Sequence, residues 1–220
     1  MIPVEGHGGK EKGVFDPGAV ANDLRECDLT IDICRRIKDR LDAYAVDCRI
    51  GPQGSLFDRV KLANELQADF FLSVHVNAGG GTGFESYVHT NAPGKTRELQ
   101  IVIHSASMSF LRKHNIFDRG RKQADFYVLR ETKMPAVLLE CLFIDRKDDA
   151  AKLQDEAFRD GLSNEIAWGL VNAFGLGKKE PAQEAEQQYC PNCAKLYEEN
   201  QRLRQVLKQL ASIAAPYMIG

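Results

Sequence analysis

No stretch of this sequence approaches the roughly 18 consecutive apolar residues that a membrane-crossing helix needs, so an integral membrane segment is excluded. An excess of charge of one sign is missing too. Across 220 residues, 29 basic side chains stand against 31 acidic ones, a formal net charge of −2. That balance lacks the basic surplus of a nucleic-acid binder and excludes retention on anionic envelopes by bulk charge. The opening residues, Met1 to Gly9, have no basic region followed by an apolar stretch, so no secretory signal is expected. There is no internal repeat. Disorder is excluded because 44% of the residues are hydrophobic and the charge is nearly balanced. Cysteine is sparse, at six. Cys27, Cys34, Cys48 and Cys141 are scattered, as expected of small buried hydrophobes in a reducing compartment, and Cys190 and Cys193 form a late C-x-x-C.

What is present reads as one domain with an appendage, since domains run to about 100–200 residues and a core of that size needs no staple. Residues 10–20 read as a polar, glycine-containing loop. Leu29, Ile33, Ile37 and Leu41 recur at helical spacing and predict an amphipathic helix over 24–43. A short strand at 45–49, closed by the turn at 51–54, and a helix at 56–68 follow. The apolar run 70–76 has the composition of a buried parallel strand. Beyond the glycine-rich loop 79–83 come a strand at 84–89, a helix at 93–114 and a polar loop at 115–123. Two strands, 126–129 and 136–144, precede a last helix at 156–174 that carries Phe158, Leu162, Ile166, Leu170 and Phe174 on one face. This alternation predicts an α/β fold, a mostly parallel central sheet flanked by helices, over residues 1–176. Residues 177–188 read as a polar linker, and 189–220 as a small helical C-terminal segment. Leu196, Leu203 and Leu210 are spaced by heptads there, a pattern that seeks a partner helix and points to homo-oligomerisation through 189–212.

Four residues invite chemistry. Glu140 is one carboxylate in the otherwise uncharged run Ala136–Ile144. A carboxylate in such a place is normally paired, metal-bound or shifted in pKa, and a shifted one is a candidate general base. An edge-strand glutamate facing solvent or pairing with an arginine fits the same pattern. His75, near the end of its apolar strand, reads either as a satisfied core histidine or as a ligand. His7, between glycines, belongs either to a mobile loop or to a shared site. Glu26 lies in the first turn of its helix, where the dipole favours an acid in any case. Two imidazoles and a carboxylate are nonetheless a set that catalytic zinc uses, with the fourth position left to water.

The order of motifs supplies a family. Gly6-His7-Gly8-Gly9 with Asp16-Pro17-Gly18-Ala19 is followed by Leu24-Arg25-Glu26-Cys27-Asp28-Leu29. Next come Arg59, Ala63-Asn64, Ala68-Asp69 and Ser73-Val74-His75-Val76-Asn77-Ala78. Gly83-Phe84-Glu85-Ser86-Tyr87, Arg119-Gly120, Val128-Leu129-Arg130 and Pro135–Glu140 complete the set. Over residues 2–176 this resembles the zinc-dependent N-acetylmuramoyl-L-alanine amidases of the amidase-3 family, found in phage endolysins and bacterial autolysins. The resemblance implies zinc held by His7, Glu26 and His75, Glu140 as the catalytic carboxylate, and peptidoglycan as substrate. It implies cleavage of the amide between N-acetylmuramic acid and the L-alanine of the stem peptide.

With no secretory signal expected, the reading is a phage endolysin held in the host cytoplasm until release to the wall. The alternatives are a sporulation or mother-cell autolysin of the same activity, a zinc peptidase on the stem peptide, and a non-catalytic wall-binding module. Glu5 stands where the family has Asp, the loop at Cys48-Arg49-Ile50-Gly51-Pro52 is reduced, and the inserted helix that blocks some relatives has no counterpart. The tail matches no wall-binding repeat. Cys190 and Cys193 read as half of a zinc knuckle shared between two chains, a redox pair, or an inert pair.

Overall fold

The computed structural model describes residues 2–5, 8–11, 13–52, 54–180, 199 and 202–203. His7, Cys190, Cys193 and nearly all of the expected C-terminal helix lie outside them. The chain divides into two units, Met1–Lys179 and Glu180–Gly220. In the second unit only the helical residues Glu199, Arg202 and Leu203 are described beyond Glu180.

In the first unit β1 (Ile2–Glu5) leads to two small antiparallel hairpins, β2 (Lys10–Glu11) with β3 (Val14–Phe15) and β4 (Val20–Ala21) with β5 (Leu24–Arg25). The first hairpin lies in the segment expected to be a loop, β5 takes the first two residues of the helix expected over 24–43, and the chain then enters α1 (Glu26–Leu41). Then follow β6 (Cys48–Ile50), α2 (Leu56–Glu65), β7 (Phe71–Asn77), β8 (Phe84–Val88), α3 (Gly94–Leu111) and β9 (Asp118–Gln123). The last elements are α4 (Tyr127–Arg130), β10 (Ala136–Phe143), α5 (Lys147–Gln154) and α6 (Glu156–Phe174).

The central sheet has the order β6-β1-β7-β10-β8-β9. It is mixed and mostly parallel. Only the β10–β8 pair is antiparallel, so β8 and β9 run against the other four strands. The main core lies between the sheet and α1, α3 and α6, and it is built from the periodicities read above. Leu29, Ile33, Ile37 and Leu41 of α1 meet Phe158, Leu162, Ile166 and Leu170 of α6, all of them buried. The four scattered cysteines are buried, as small hydrophobes should be. A second cluster, Val60, Ala63, Phe71, Val128, Leu129, Ala136 and Leu138, lies on the opposite face under α2 and α4.

Local signals explain the ends. α2 starts at a reciprocal capping box between Ser55 and Asp58, and α6 ends at Gly175, whose φ of +59° suits a left-handed cap.

Two expected elements are different in kind. The run 126–129 is no strand: the Phe126 carbonyl accepts from both Leu129 N and Arg130 N at 3.0 Å, which closes a helical turn. A short apolar run cannot be told from a buried helical turn by period alone, and here Val128 and Leu129 bury against α2. The polar segment expected to be a loop contains β9, an edge strand paired in parallel with β8. Its charges make it look like a loop, yet charged side chains are what an exposed sheet edge tolerates. α5, where no element was expected, buries only Asp149, Ala150 and Leu153.

Candidate active site

Strand alternation sorts the side chains between the two faces. Leu72, Val74 and Val76 of β7 enter the main core, which turns Ser73 and His75 to the other face. Along β10, Val137, Leu139 and Cys141 are in the core, leaving Leu138 and Glu140 opposite. Register then sets them side by side. Glu140 pairs laterally with His75 on one flank and Glu85 on the other, and Leu138 pairs with Ser73 and Tyr87. The second apolar cluster ends at Leu138, so the row His75, Glu140, Glu85 lies just past its cover.

Glu26 approaches this row from the first residue of α1 and is 5% exposed. Its Oε2 accepts from Ala19 N at 2.9 Å and its Oε1 from Val76 N at 3.1 Å. The same Oε1 stands 3.2 Å from His75 Nδ1, while His75 Nε2 lies 2.8 Å from Ser73 Oγ. Gly18 makes the approach possible. At φ +66° it sits so close that a Cβ there would fall 2.7 Å from Glu26 Oε2 and 2.9 Å from Glu26 Cβ. Gly18→Ala is therefore expected to cost about 1–2 kcal/mol in backbone strain. If Glu26 belongs to a reacting constellation, the substitution should also cut turnover by up to about 100-fold, the effect of a displacement of order 1 Å. A thermal melt alongside steady-state kinetics separates the two, and normal kinetics would show that Gly18 does not set Glu26.

Nδ1 of His75 and Oε1 of Glu26 are adjacent atoms that can each offer a lone pair to a cation. Two ligands at about 2.0–2.1 Å on a tetrahedral zinc stand about 3.3 Å apart, so this pair fits such an ion. Ser73 Oγ can accept from a protonated Nε2, the tautomer in which Nδ1 carries its lone pair. Among the described residues no group of three potential ligands is assembled; the third donor expected, His7, lies outside them.

Glu140 is not on an edge strand. β10 lies between β7 and β8, and Glu140 Oε2 is buried with no hydrogen-bond partner among the described residues. Burial above all, and then the charges of Glu26 and Glu85, push its pKa up to about 8. Such a carboxylate exchanges a proton near neutral pH, which suits a general acid–base group.

A family model described as N-acetylmuramoyl-L-alanine amidase matches residues 4–172. The chain belongs to the N-acetylmuramoyl-L-alanine amidase family. It is 40% identical over 198 residues to an endolysin of Bacillus phage SPP1, covering 86% of this chain and 71% of that protein. It is 42% identical over 179 residues to the sporulation-specific N-acetylmuramoyl-L-alanine amidase of Bacillus subtilis, covering 79% of this chain and 67% of that one. The crystal structure of an N-acetylmuramoyl-L-alanine amidase from Clostridium difficile 630 superposes with a TM-score of 0.71 at 29% identity. That match covers 78% of this chain and 94% of the crystallised one.

This amidase domain also holds polar groups whose roles the sequence did not reveal. Glu85, 2% exposed, accepts from Asn77 Nδ2 at 2.7 Å, from Arg119 Nε at 2.9 Å and from Lys122 Nζ. A carboxylate inside the strand Phe84–Val88 is the same signal that marked Glu140. Its cationic partners were out of reach because their strand reads as a loop. The glycine-rich loop is pinned from below. Asp145 Oδ2 accepts from Gly79 N and Gly80 N at 2.7 Å each, and Asp149 Oδ2 accepts from Gly83 N and Phe143 N at 3.0 Å each. β10 is irregular where it meets this loop. Its register shifts between Glu140 and Phe143, and buried Leu142 takes φ +70°.

Proposed function

We propose that this amidase is a zinc-dependent peptidoglycan hydrolase that cleaves the amide between the lactyl group of N-acetylmuramic acid and L-alanine. The observation that carries this is the buried Oε2 of Glu140, without a hydrogen-bond partner among the described residues, beside a carboxylate–imidazole pair 3.2 Å apart. His7, Glu26 and His75 would hold the ion, with Glu26 steadied by two backbone N–H groups and His75 by Ser73. When bound, zinc supplies Lewis acidity toward the amide carbonyl and makes water a better acid. Glu140 takes the proton from the attacking water and returns it to the leaving nitrogen of L-alanine. Its raised pKa suits both halves of that exchange.

The setting we propose is a phage endolysin, kept in the host cytoplasm until it reaches the wall; the similarity to the phage SPP1 protein supports it. A sporulation autolysin of the same activity is the second reading, on the strength of the Bacillus subtilis relative. Expression late in infection, or in a sporulating mother cell, separates them. We assign the catalytic domain to residues 1–176 and wall binding or oligomerisation to 189–220.

The test is the set of new chemical ends released from purified peptidoglycan. Free N-terminal L-alanine without new reducing sugars, abolished by a chelator and restored by zinc, is the expected result. Other amino ends would make the chain a stem-peptide peptidase. No new ends on several wall types would make it a binding module. Repeating the assay with a chain ending at Lys179, on whole walls and on soluble fragments, reads the tail, and equal rates for the two chains on both substrates would remove its role.

A further inference from the structure

The cations around Glu85 have no part in the proton transfers assigned to Glu140, yet they continue the same row across the sheet. Glu85 is the lateral neighbour of Glu140; Gly120 is the neighbour of Glu85, and Lys122 that of Tyr87. One buried carboxylate thus binds two cations, Arg119 and Lys122, and the cluster keeps a net positive charge. Neither cation is used up. Their side chains are 30% and 36% exposed, and Nη2 of Arg119 makes no hydrogen bond among the described residues. The guanidinium is also fixed in place, 4.8 Å from the centre of the Phe143 ring, and Asn77 holds the far oxygen of Glu85. An oriented guanidinium with free donors, beside an ammonium, is suited to a carboxylate.

We propose that Arg119 and Lys122, oriented by Glu85, form the subsite for the carboxylate of the residue that follows L-alanine in the stem peptide. This rests on the amidase reading above. Reach supports it. Arg119 and Lys122 lean back toward Glu85, one strand from Glu140, a spacing of about 4.8 Å. Two extended residues cover about 7 Å, enough to bring that carboxylate from a scissile amide at Glu140 to the cations. The substrate then runs across the strands, with its lactyl side over His75 and its peptide toward β9. The amide would be placed by charge as well as by an ion held on His7, Glu26 and His75.

The experiment compares two soluble substrates, N-acetylmuramoyl dipeptides whose second residue carries either a free carboxylate or a carboxamide. The wild-type chain should favour the acid by about 10–100-fold in kcat/KM, the range for hydrogen bonds to a charged group. Arg119→Gln and Lys122→Met should bring that ratio toward unity, chiefly through KM on the acid. If Glu85 needs both cations to fold, Arg119→Lys preserves the ion pair but not the fork, and it should still lose part of the preference. A preference retained in all three variants, with both substrates slowed in parallel, would reduce the cluster to a structural ion pair and overturn the subsite. Equal kcat/KM for acid and carboxamide in the wild type overturns the subsite and leaves the amidase standing. Turnover of neither overturns the amidase reading and the subsite with it.

Discussion

Glu140→Gln is expected to lower hydrolysis by about 10²–10⁴-fold, the usual worth of a positioned general acid–base group, in a chain that still folds and retains zinc. The carboxamide keeps the size and shape of the side chain but cannot take the proton of water. Burial raises the Glu140 pKa from its ordinary 4.5 to about 8, so between those values the folded chain holds a proton that the unfolded chain has released. Its contribution to stability is present at the low end of that window and is lost as pH rises through about 8. Gln has nothing to ionise. In metal-free protein, Glu140→Gln should therefore melt at increasingly higher temperature than wild type as the pH is raised from about 5 to 8. The release of L-alanine ends and a series of melts after chelation read the two effects separately. Retained turnover would remove Glu140 from the mechanism, and melting differences that do not change with pH would remove the buried-charge account.

Glu26→Gln is expected to be nearly as severe, for a different reason. The carboxylate accepts from Ala19 N and Val76 N on separate oxygens and presents Oε1 to His75. A glutamine has one acceptor oxygen, so one of those N–H groups would meet an NH₂ and lose its partner. The charge that would balance a cation beside His75 disappears as well. Loss of even an outer-shell partner costs about 10–100-fold in metal affinity, so removal of a proposed ligand should cost at least about 100-fold, with activity falling in step. Zinc retained after dialysis, measured against wild type, checks this. A variant that binds zinc as tightly as wild type would show that Glu26 is a buried acceptor for Ala19 N and Val76 N and no ligand.

Several elements are legible in the sequence. The repeats Leu29–Leu41 and Phe158–Phe174 mark α1 and α6 because an apolar side chain every three or four residues can bury along one helix face only. The apolar runs of β7 and β10 marked themselves as interior strands, and the polar intruders His75 and Glu140 stood out against them. β9 and α4 were not legible. The first is a charged segment made a strand by its pairing with β8, and the second an apolar tetrapeptide made helical by the site it packs against. Both are tertiary overrides of local preference. Glu26 gave no signal of its own, since an acid in a first helical turn is ordinary.

By itself the sequence determined the helices of the main core, the interior strands, the family to which the domain belongs, and the polar side chains that a core would not otherwise keep. Only the tertiary structure decided that His75, Glu140 and Glu85 stand in one row with Glu26 against it and Arg119 and Lys122 at its end. The reason is physical. The period of a segment dictates which face of its own element a side chain takes, whereas strand order and register come from packing between segments far apart in the chain.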